Sequence, residues 1–297
     1  MSVPKVAELL KASALPLLEA RALLAHALAS PREALVAHPE REVNRDAARK
    51  FEDLVARRRS GEPLAYLVGE REFYGRPFVV TAAVLIPRPE TELLVQLALE
   101  HARGLASPKV LDLGTGSGCI AISLALELNS AEVLATDIRA AALAVARANA
   151  ARLGARVHFI ESDWYSAVVD RFDLIVANPP YVAEGDPHLS DLRYEPQSAL
   201  VASDSGLACL RPIIAGAPAH LKPAGKLLVE HGYDQAAAVQ EIFATAGFEA
   251  IKTDRDATGI ERVTSGILRA GQASDSEAAS RQARPLSPGE RGRGRVP

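Results

Sequence analysis

Asp173-Leu174-Ile175-Val176-Ala177-Asn178-Pro179-Pro180-Tyr181 is the stretch that decides the fold. Leu174 to Ala177 is a short, wholly apolar run, as expected of a parallel strand buried on both faces. It stops at Asn178, and two prolines forbid it from continuing. Neither can donate a ladder hydrogen bond, and each holds the residue before it extended. A rigid corner is therefore expected at the carboxyl end of a parallel strand, where open α/β sheets bind their ligands.

The atoms at that corner define a chemistry. Asn178 offers a side-chain carbonyl, and Pro179 offers a backbone carbonyl with no N–H beside it. Such a site accepts hydrogen bonds, which suits a planar –NH2 group with two protons to give. Tyr181 adds an aromatic face for a flat amide or base. An ordinary proline turn after a strand reads the same in isolation, so the surrounding sequence has to choose.

Outward from the corner, strands and helices alternate from 108 to 268, the pattern of a doubly wound sheet. Strands are expected at Lys109 to Leu113, Glu132 to Thr136, 156–160, 172–177 and 226–231. Helices are expected at 117–128, from Arg139 to Leu153, near 207–220 and at 235–246. Phe248–Lys252 and Ile260–Leu268 read as a terminal antiparallel pair. The fold class is thus α/β, a Rossmann-like seven-stranded sheet preceded by a small helical domain.

The first of these strands runs into Asp112-Leu113-Gly114-Thr115-Gly116-Ser117-Gly118 and then a helix. Glycines there let the backbone turn sharply and approach a ligand closely. The spacing is G-x-G-x-G, tighter than the dinucleotide fingerprint, since Cys119 occupies the sixth position. It suits a smaller cofactor lying over the loop. Asp137 ends the next strand, where an acid can bind both ribose hydroxyls or can cap the helix near Arg139. The glycines before it favour the ribose. Asp163-Trp164, holding the single Trp of the chain, follows the third strand, where Trp164 can lie beside an adenine ring with Asp163 near its amino group, or can simply be part of the core. A nucleoside cofactor next to an amino-group acceptor is met by S-adenosylmethionine. An amide nitrogen is a poor nucleophile, so fixing its N–H bonds on Asn178 and the Pro179 carbonyl supplies positioning and electrostatics, with no general base assigned.

The bulk numbers narrow the alternatives. A chain of 297 residues has room for one large or two ordinary domains, and a net charge of −3 argues against an electrostatic nucleic-acid binder. Two cysteines, Cys119 and Cys209, make no disulfide framework, and the seven histidines lack metal spacing, so no metal is expected. With no signal peptide and no apolar run of bilayer length, the expected location is the cytoplasm, away from membranes.

Four segments follow: helices over 1–68, a β-hairpin linker over 69–88, the cofactor-binding domain over 89–270, and a basic tail over 271–297 read as disordered. In the first, Leu17, Ala20, Leu24, Ala27 and Leu28 are placed on one face. Ser30-Pro31 is read as a cap followed by proline at the first helical position, and Asn44 as the cap of another helix. Arg57-Arg58-Arg59 reads as a solvated helix end or, less simply, a contact to RNA. In the linker, Glu70–Tyr74 and Arg76–Val80 flank a turn at Gly75. Ile86 to Glu92 then forms a second proline-stiffened loop, entering a helix with Leu93, Leu94 and Leu97 on one side. The tail offers at most weak nucleic-acid affinity, and the chain is read as a monomer.

Gly114–Gly118, Asp137, Asp163-Trp164 and Asn178–Tyr181 together resemble the class I S-adenosylmethionine methyltransferases. More narrowly, with Tyr66–Gly75, Pro87–Glu92, Tyr194-Glu195-Pro196 and Ala199-Leu200, the chain is similar to the HemK-type glutamine methyltransferases of bacterial peptide chain release factors. The resemblance covers roughly residues 5 to 270 and leaves the tail aside. It implies methylation of the side-chain nitrogen, N5, of the glutamine in the Gly-Gly-Gln motif of class 1 release factors. It further implies that Gly114, Thr115, Gly116, Ser117, Gly118, Asp137, Trp164 and Asn178 contact the cofactor. Asn178, Pro179, Pro180 and Tyr181 would hold the substrate, the segment with Pro89 and Glu90 would border the acceptor pocket, and the N-terminal helices would dock the release factor. Three rivals remain at this point: a glutamine methyltransferase of a large-subunit ribosomal protein, a DNA or RNA amino-methyltransferase, and a non-catalytic binding module.

Overall fold

The computed structural model describes residues 3–269, so the expectation for the tail lies outside the described residues. Five helices come first: α1 (Val6–Ala12), α2 (Leu17–Leu28), α3 (Arg32–Ala37), α4 (Arg45–Arg59) and α5 (Leu64–Val68). They share a core of their own, with Leu23, Leu24, Leu35, Phe51 and Leu54 buried at its centre. Asn44 caps α4 as expected, its Oδ1 accepting from the Ala47 N–H at 2.8 Å, a contact worth about 1 kcal/mol. The α2 face differs from expectation. Ala20, Leu23 and Leu24 point inward, while Leu17 is exposed, because α2 packs chiefly on α4 through its middle turns. Pro31 itself occupies the cap position of α3, so Ser30 lies outside the helix and gives no side-chain cap.

The three consecutive arginines are engaged within this unit. Arg57 pairs with Glu62 at 2.6 Å, Arg58 with Glu19 at 2.6 Å, and Arg59 donates to the Ser13 carbonyl at 2.6 Å. Arg57 and Arg58 are thus each paired with a carboxylate of their own unit, while Arg59 is held by a backbone carbonyl.

A hairpin follows, β1 (Glu70–Phe73) paired antiparallel with β2 (Arg76–Val79) across Tyr74-Gly75. Phe73 and Phe78 stand edge to face, 6.1 Å apart, and enter the core of the larger unit. Next come α6 (Thr91–Ala102), β3 (Lys109–Leu113), α7 (Cys119–Glu127), β4 (Glu132–Asp137), α8 (Ala140–Leu153), β5 (His158–Glu161) and β6 (Phe172–Ala177). Two short strands, β7 (Val182–Ala183) and β8 (Val201–Ala202), pair with each other after the Asn178 corner. The chain closes with α9 (Leu210–His220), β9 (Leu221–Glu230), α10 (Ala236–Thr245), β10 (Phe248–Arg255) and β11 (Glu261–Leu268).

The seven-stranded sheet has the order β10-β11-β9-β6-β3-β4-β5, in which β11 runs antiparallel to both of its neighbours and every other pairing is parallel. From β3 the chain winds to β4 and β5 on one side, and then to β6 and β9 on the other. The switch of direction lies between β3 and β6, where an open sheet leaves a crevice at its carboxyl edge. Alternate residues face opposite layers. Val110, Leu174 and Val176 pack under α6 and α7, whereas Leu111, Ile175 and Ala177 pack under α9 and α10.

Some boundaries moved for local reasons. Helix α7 starts at Cys119, later than expected, because Gly118 takes φ +82° and cannot be a helical residue. Strand β9 begins at Leu221, and a register shift opposite β6 absorbs Pro223-Ala224-Gly225, which the sequence reading left outside the strand. In α6 the inward face is Leu94, Val95, Ala98 and Leu99, with Leu93 and Leu97 at its margin.

Candidate active site

Four adjacent parallel strands end along one line. Ser162 follows β5, Asp137 closes β4, Gly114 follows β3 and Asn178 follows β6. At about 4.8 Å per strand, that row spans roughly 14 Å. One cavity runs along it, of about 980 Å³ counting its open mouth, and all four of these residues line it.

The middle of the cavity is made of backbone. Gly114 has φ +71° and Gly116 φ +54°, both left-handed. A side chain added at Gly116 would meet nothing within 4 Å, so the loop faces open space there. Gly118 works differently. A Cβ on it would come 2.8 Å from Ile122 Cδ1 and 3.1 Å from the Ala146 Cβ, so this glycine lets α7 pack close to α8 and does not line the cavity. The loop is pinned at both sides: Thr115 N–H donates to the Thr136 carbonyl at 2.8 Å and Gly116 N–H to Asp137 Oδ2 at 2.9 Å. Asp137 Oδ1 also accepts from the Arg139 N–H at 3.0 Å. It therefore braces both the glycine loop and the start of α8, while keeping lone pairs for a ligand hydroxyl.

Beneath the loop lies Asp112, fully buried. Its Oδ2 accepts from the Thr115 hydroxyl at 2.6 Å, while Oδ1 is left without a hydrogen-bond partner among the described residues. Burial raises its pKa to about 7, against the pull of Thr115 and the Ala121 N–H. From there it holds the Thr115 hydroxyl under the loop without itself lining the cavity.

At the other end the site is made of side chains. Asn178 Nδ2 donates to Thr91 Oγ1 at 3.0 Å, and Asn178 Oδ1 accepts from no described residue. Thr91 is buried at the start of α6. Behind it sits Glu230, the last residue of β9 and fully buried. Glu230 Oε1 accepts from the Tyr181 hydroxyl at 3.1 Å, and Oε2 accepts a hydrogen bond from no described residue. Burial pushes the Glu230 carboxyl up to about 7, with Thr91 and Tyr181 drawing it back. The wall of this end is tied to the loop after the corner: Arg88 Nη2 meets Glu195 Oε1 at 2.5 Å, and Ile86 N–H donates to Glu195 Oε2 at 3.0 Å.

Of the residues singled out by sequence, Gly114, Thr115, Gly116, Ser117, Asp137, Asp163, Trp164, Asn178 and Pro180 share this lining. Gly118, Pro179, Tyr181, Pro89 and Glu90 do not. Tyr181 turns away from the cavity: its ring packs against the core under α9 and α10, its hydroxyl holds Glu230, and its carbonyl accepts from Gln235 Nε2 at 3.0 Å. Gly206 approaches that carbonyl so closely that a Cβ would lie 2.1 Å away, so the corner is clamped from behind. The Pro87–Glu92 segment does border the cavity, but through Pro87, Arg88 and Thr91.

No role was read from the sequence for Asp112 or Thr91, though both stand in the stretches quoted from it, and Glu230 and Ile138 were missed. Ile138 lines the mouth with 60% of its surface exposed, an apolar face awaiting a flat partner. Its signal was available: an isoleucine directly after the acid that ends β4 has no core to enter.

Two family models match the chain, "Methyltransferase small domain" over residues 89–192 and "PrmC N-terminal domain" over residues 5–69. The chain is 51% identical over 265 residues to a release factor glutamine methyltransferase of Bordetella pertussis, covering 88% of this chain and 98% of that protein. It is 44% identical over 262 residues to the release factor glutamine methyltransferase of Escherichia coli, covering 86% of this chain and 94% of that protein. A solved methyltransferase from Pyrococcus furiosus shares the fold, with a TM-score of 0.51 and 18% identity over 74% of this chain and all of that one (100%).

Proposed function

The chain belongs to the release factor glutamine methyltransferase family, and from that premise we propose how its residues divide the work. It is an S-adenosylmethionine-dependent methyltransferase whose substrate is the glutamine side chain of a peptide chain release factor. The acceptor atom is the amide nitrogen N5 of the Gly-Gly-Gln glutamine in class 1 factors. The enzyme is a cytoplasmic monomer whose nucleic-acid affinity is at most the weak one of its basic tail, a reading supported on the last point by the net charge of −3 and the paired Arg57 and Arg58.

The residues fit the cofactor. Gly114 to Ser117 give a backbone cradle open to the cavity, Asp137 keeps free acceptor capacity for ribose hydroxyls, and Ile138 offers an uncovered apolar face to a base. Asp112 holds Thr115 beneath that cradle from a fully buried position. S-adenosylmethionine supplies an electrophilic methyl group; all else is done by the chain. Asn178 Oδ1, unpartnered and facing the cavity from the strand beside the glycine loop, accepts one amide N–H of the glutamine and aims its lone pair toward the cofactor half. The proline-locked corner keeps that acceptor from moving, so little reorganisation accompanies reaction. Pro180, Arg88 and Thr91 wall the acceptor end.

A single observation carries the assignment of roles. One cavity has a backbone cradle in its middle and an unpartnered side-chain carbonyl one strand away. Transfer of a labelled methyl group should be measured side by side on a release factor, a large-subunit ribosomal protein and nucleic acid. Label is expected on the release factor glutamine alone. Label on the ribosomal protein or on a base amino group would overturn the substrate reading.

A further inference from the structure

The acceptor role of Asn178 has a weakness built into it. The two ends of a carboxamide have nearly the same size, so packing alone does not decide which one faces the cavity. Turned one way, Asn178 presents a carbonyl, which can accept a proton from the substrate amide. Turned the other way, it presents an –NH2 group, which repels that same substrate. Something outside Asn178 must choose.

The only described polar contact to the Asn178 amide is with Thr91, and a hydroxyl does not choose by itself, since it can donate or accept. What decides is where the single Thr91 proton goes. Glu230 stands in place to take it. The β6–β9 register pairs Ala177 with Val229, so Asn178 and Glu230 are neighbours one step further on. Glu230 is fully buried with Oε1 engaged by Tyr181 and Oε2 accepting a hydrogen bond from no described residue, and Thr91 is the strongest of the polar groups acting on that carboxyl. Above about pH 7, where Glu230 is ionised, it has no proton to give and can only receive from Thr91. Thr91 oxygen is then left to accept from Asn178 Nδ2, and Asn178 Oδ1 is forced toward the cavity. We propose that Glu230 is a positioning residue for methyl transfer, acting through Thr91 to hold the Asn178 amide with its oxygen toward the substrate.

The direction of every hydrogen bond in this row follows from that one buried carboxylate. In E230Q the side chain keeps its shape but gains an –NH2 that can donate to Thr91. Thr91 is then free to donate to Asn178, and the amide can turn over. The inference rests on the acceptor reading of Asn178 given above, and the assay keeps the two apart.

The test uses the full-length protein, with steady-state kinetics on a release factor, calorimetric titration of S-adenosylmethionine, and thermal melting of each variant. E230Q and Thr91→Val should each lower kcat by about tenfold to a hundredfold, with cofactor affinity and KM for the release factor close to wild type. Thr91→Ser, which keeps the hydroxyl, should restore most of the rate; a purely packing role for Thr91 would not be rescued that way. The double variant E230Q with Thr91→Val should be no slower than Thr91→Val alone, because both act through one hydroxyl. Wild-type kcat in E230Q, or losses that multiply in the double variant, would overturn the inference. So would Thr91→Ser as slow as Thr91→Val. A wild-type enzyme that leaves release factors unmethylated would instead overturn the substrate reading, whatever the variants do.

Discussion

The two ends of the cavity are built by opposite means. The cofactor end is made of backbone: Gly114, Gly116 and their N–H groups, drawn from one contiguous turn between β3 and α7 and braced by Asp137. The acceptor end is made of side chains gathered from afar. Asn178 comes from the end of β6, Thr91 from α6, Glu230 from β9, and Glu195 from the loop that follows the corner. A backbone cradle tolerates many neighbours, because glycine conformation carries it. An array of side chains depends on each member's hydrogen-bond direction. The contrast predicts that substitutions at the acceptor end damage turnover and spare cofactor binding, while those under the glycine loop do the reverse.

The largest effect should come from Asn178→Ala. Removing the one acceptor aimed at the substrate amide should lower kcat by about 10²–10³-fold, by analogy with the loss of a single preorganised hydrogen-bonding group elsewhere. Cofactor affinity should stay near wild type, since the cradle is built on other strands. Single-turnover methyl transfer and calorimetric titration check the two halves separately. Equal loss of both would erase the distinction between the ends.

Asp112→Asn probes the other end through pH. The Asp112 carboxyl is raised by burial from 3.8 to about 7, so the folded protein holds its proton more tightly than the unfolded chain does. Its contribution to stability is therefore full below about pH 4 and is lost as pH climbs to about 7, at about 1.4 kcal/mol per pH unit. The asparagine variant lacks that loss. In urea unfolding of the cofactor-free protein, the variant should gain on wild type as pH rises from about 4 to 7 and hold its lead above that. A constant difference across the range would mean that Asp112 is not the strained group. In the same variant S-adenosylmethionine should bind more weakly, because Thr115 loses the carboxylate that fixes it under the loop.

Asn149→Ala tests how the hairpin supports the cradle, with a smaller expected change. Buried in α8, Asn149 accepts from the Val79 N–H at 2.8 Å and donates to the carbonyls of Val79 at 3.0 Å and Ser117 at 2.9 Å. It thus ties β2 to the end of the glycine loop. Losing these bonds should cost about 2 kcal/mol of stability and loosen cofactor binding more than it slows saturated turnover. Unchanged cofactor affinity would detach the hairpin from the cradle's support.

The same contrast explains what could be read from the sequence. The sheet was legible because strands buried on both faces read as unbroken apolar runs, and the Leu174–Ala177 run sits where β6 does. The cradle was legible because its residues are contiguous and three glycines announce left-handed backbone. Asn178 announced itself by the prolines after it. Its supporters did not. Thr91 looks like an ordinary first-turn residue of a helix, and Glu230 like the polar end of a strand. Only the β6–β9 register brings that carboxylate behind the corner. Tyr181 was assigned to the substrate because it follows the prolines, and its true direction is set by Gly206 and Gln235, about 25 and 54 residues further along.

Tyr181 gives the smallest effect and the finest discrimination. Were its ring a platform for the substrate amide, Tyr181→Phe would keep the platform and leave the rate alone. In the structure the ring is packed against the core, and what phenylalanine removes is the hydroxyl that donates to Glu230 Oε1 at 3.1 Å. That removes one of the two hydroxyls acting on the buried carboxylate, so its proton should be held more tightly still. A protonated Glu230 no longer dictates the direction of the Thr91 bond. The expected result is a kcat about fivefold lower, near the 1 kcal/mol of one net hydrogen bond, at unchanged KM for the release factor. In an E230Q background the same substitution should do nothing further. Wild-type kinetics for Tyr181→Phe, together with a raised KM for Tyr181→Leu, would return the ring to the substrate side and make the acceptor end a stacking site after all.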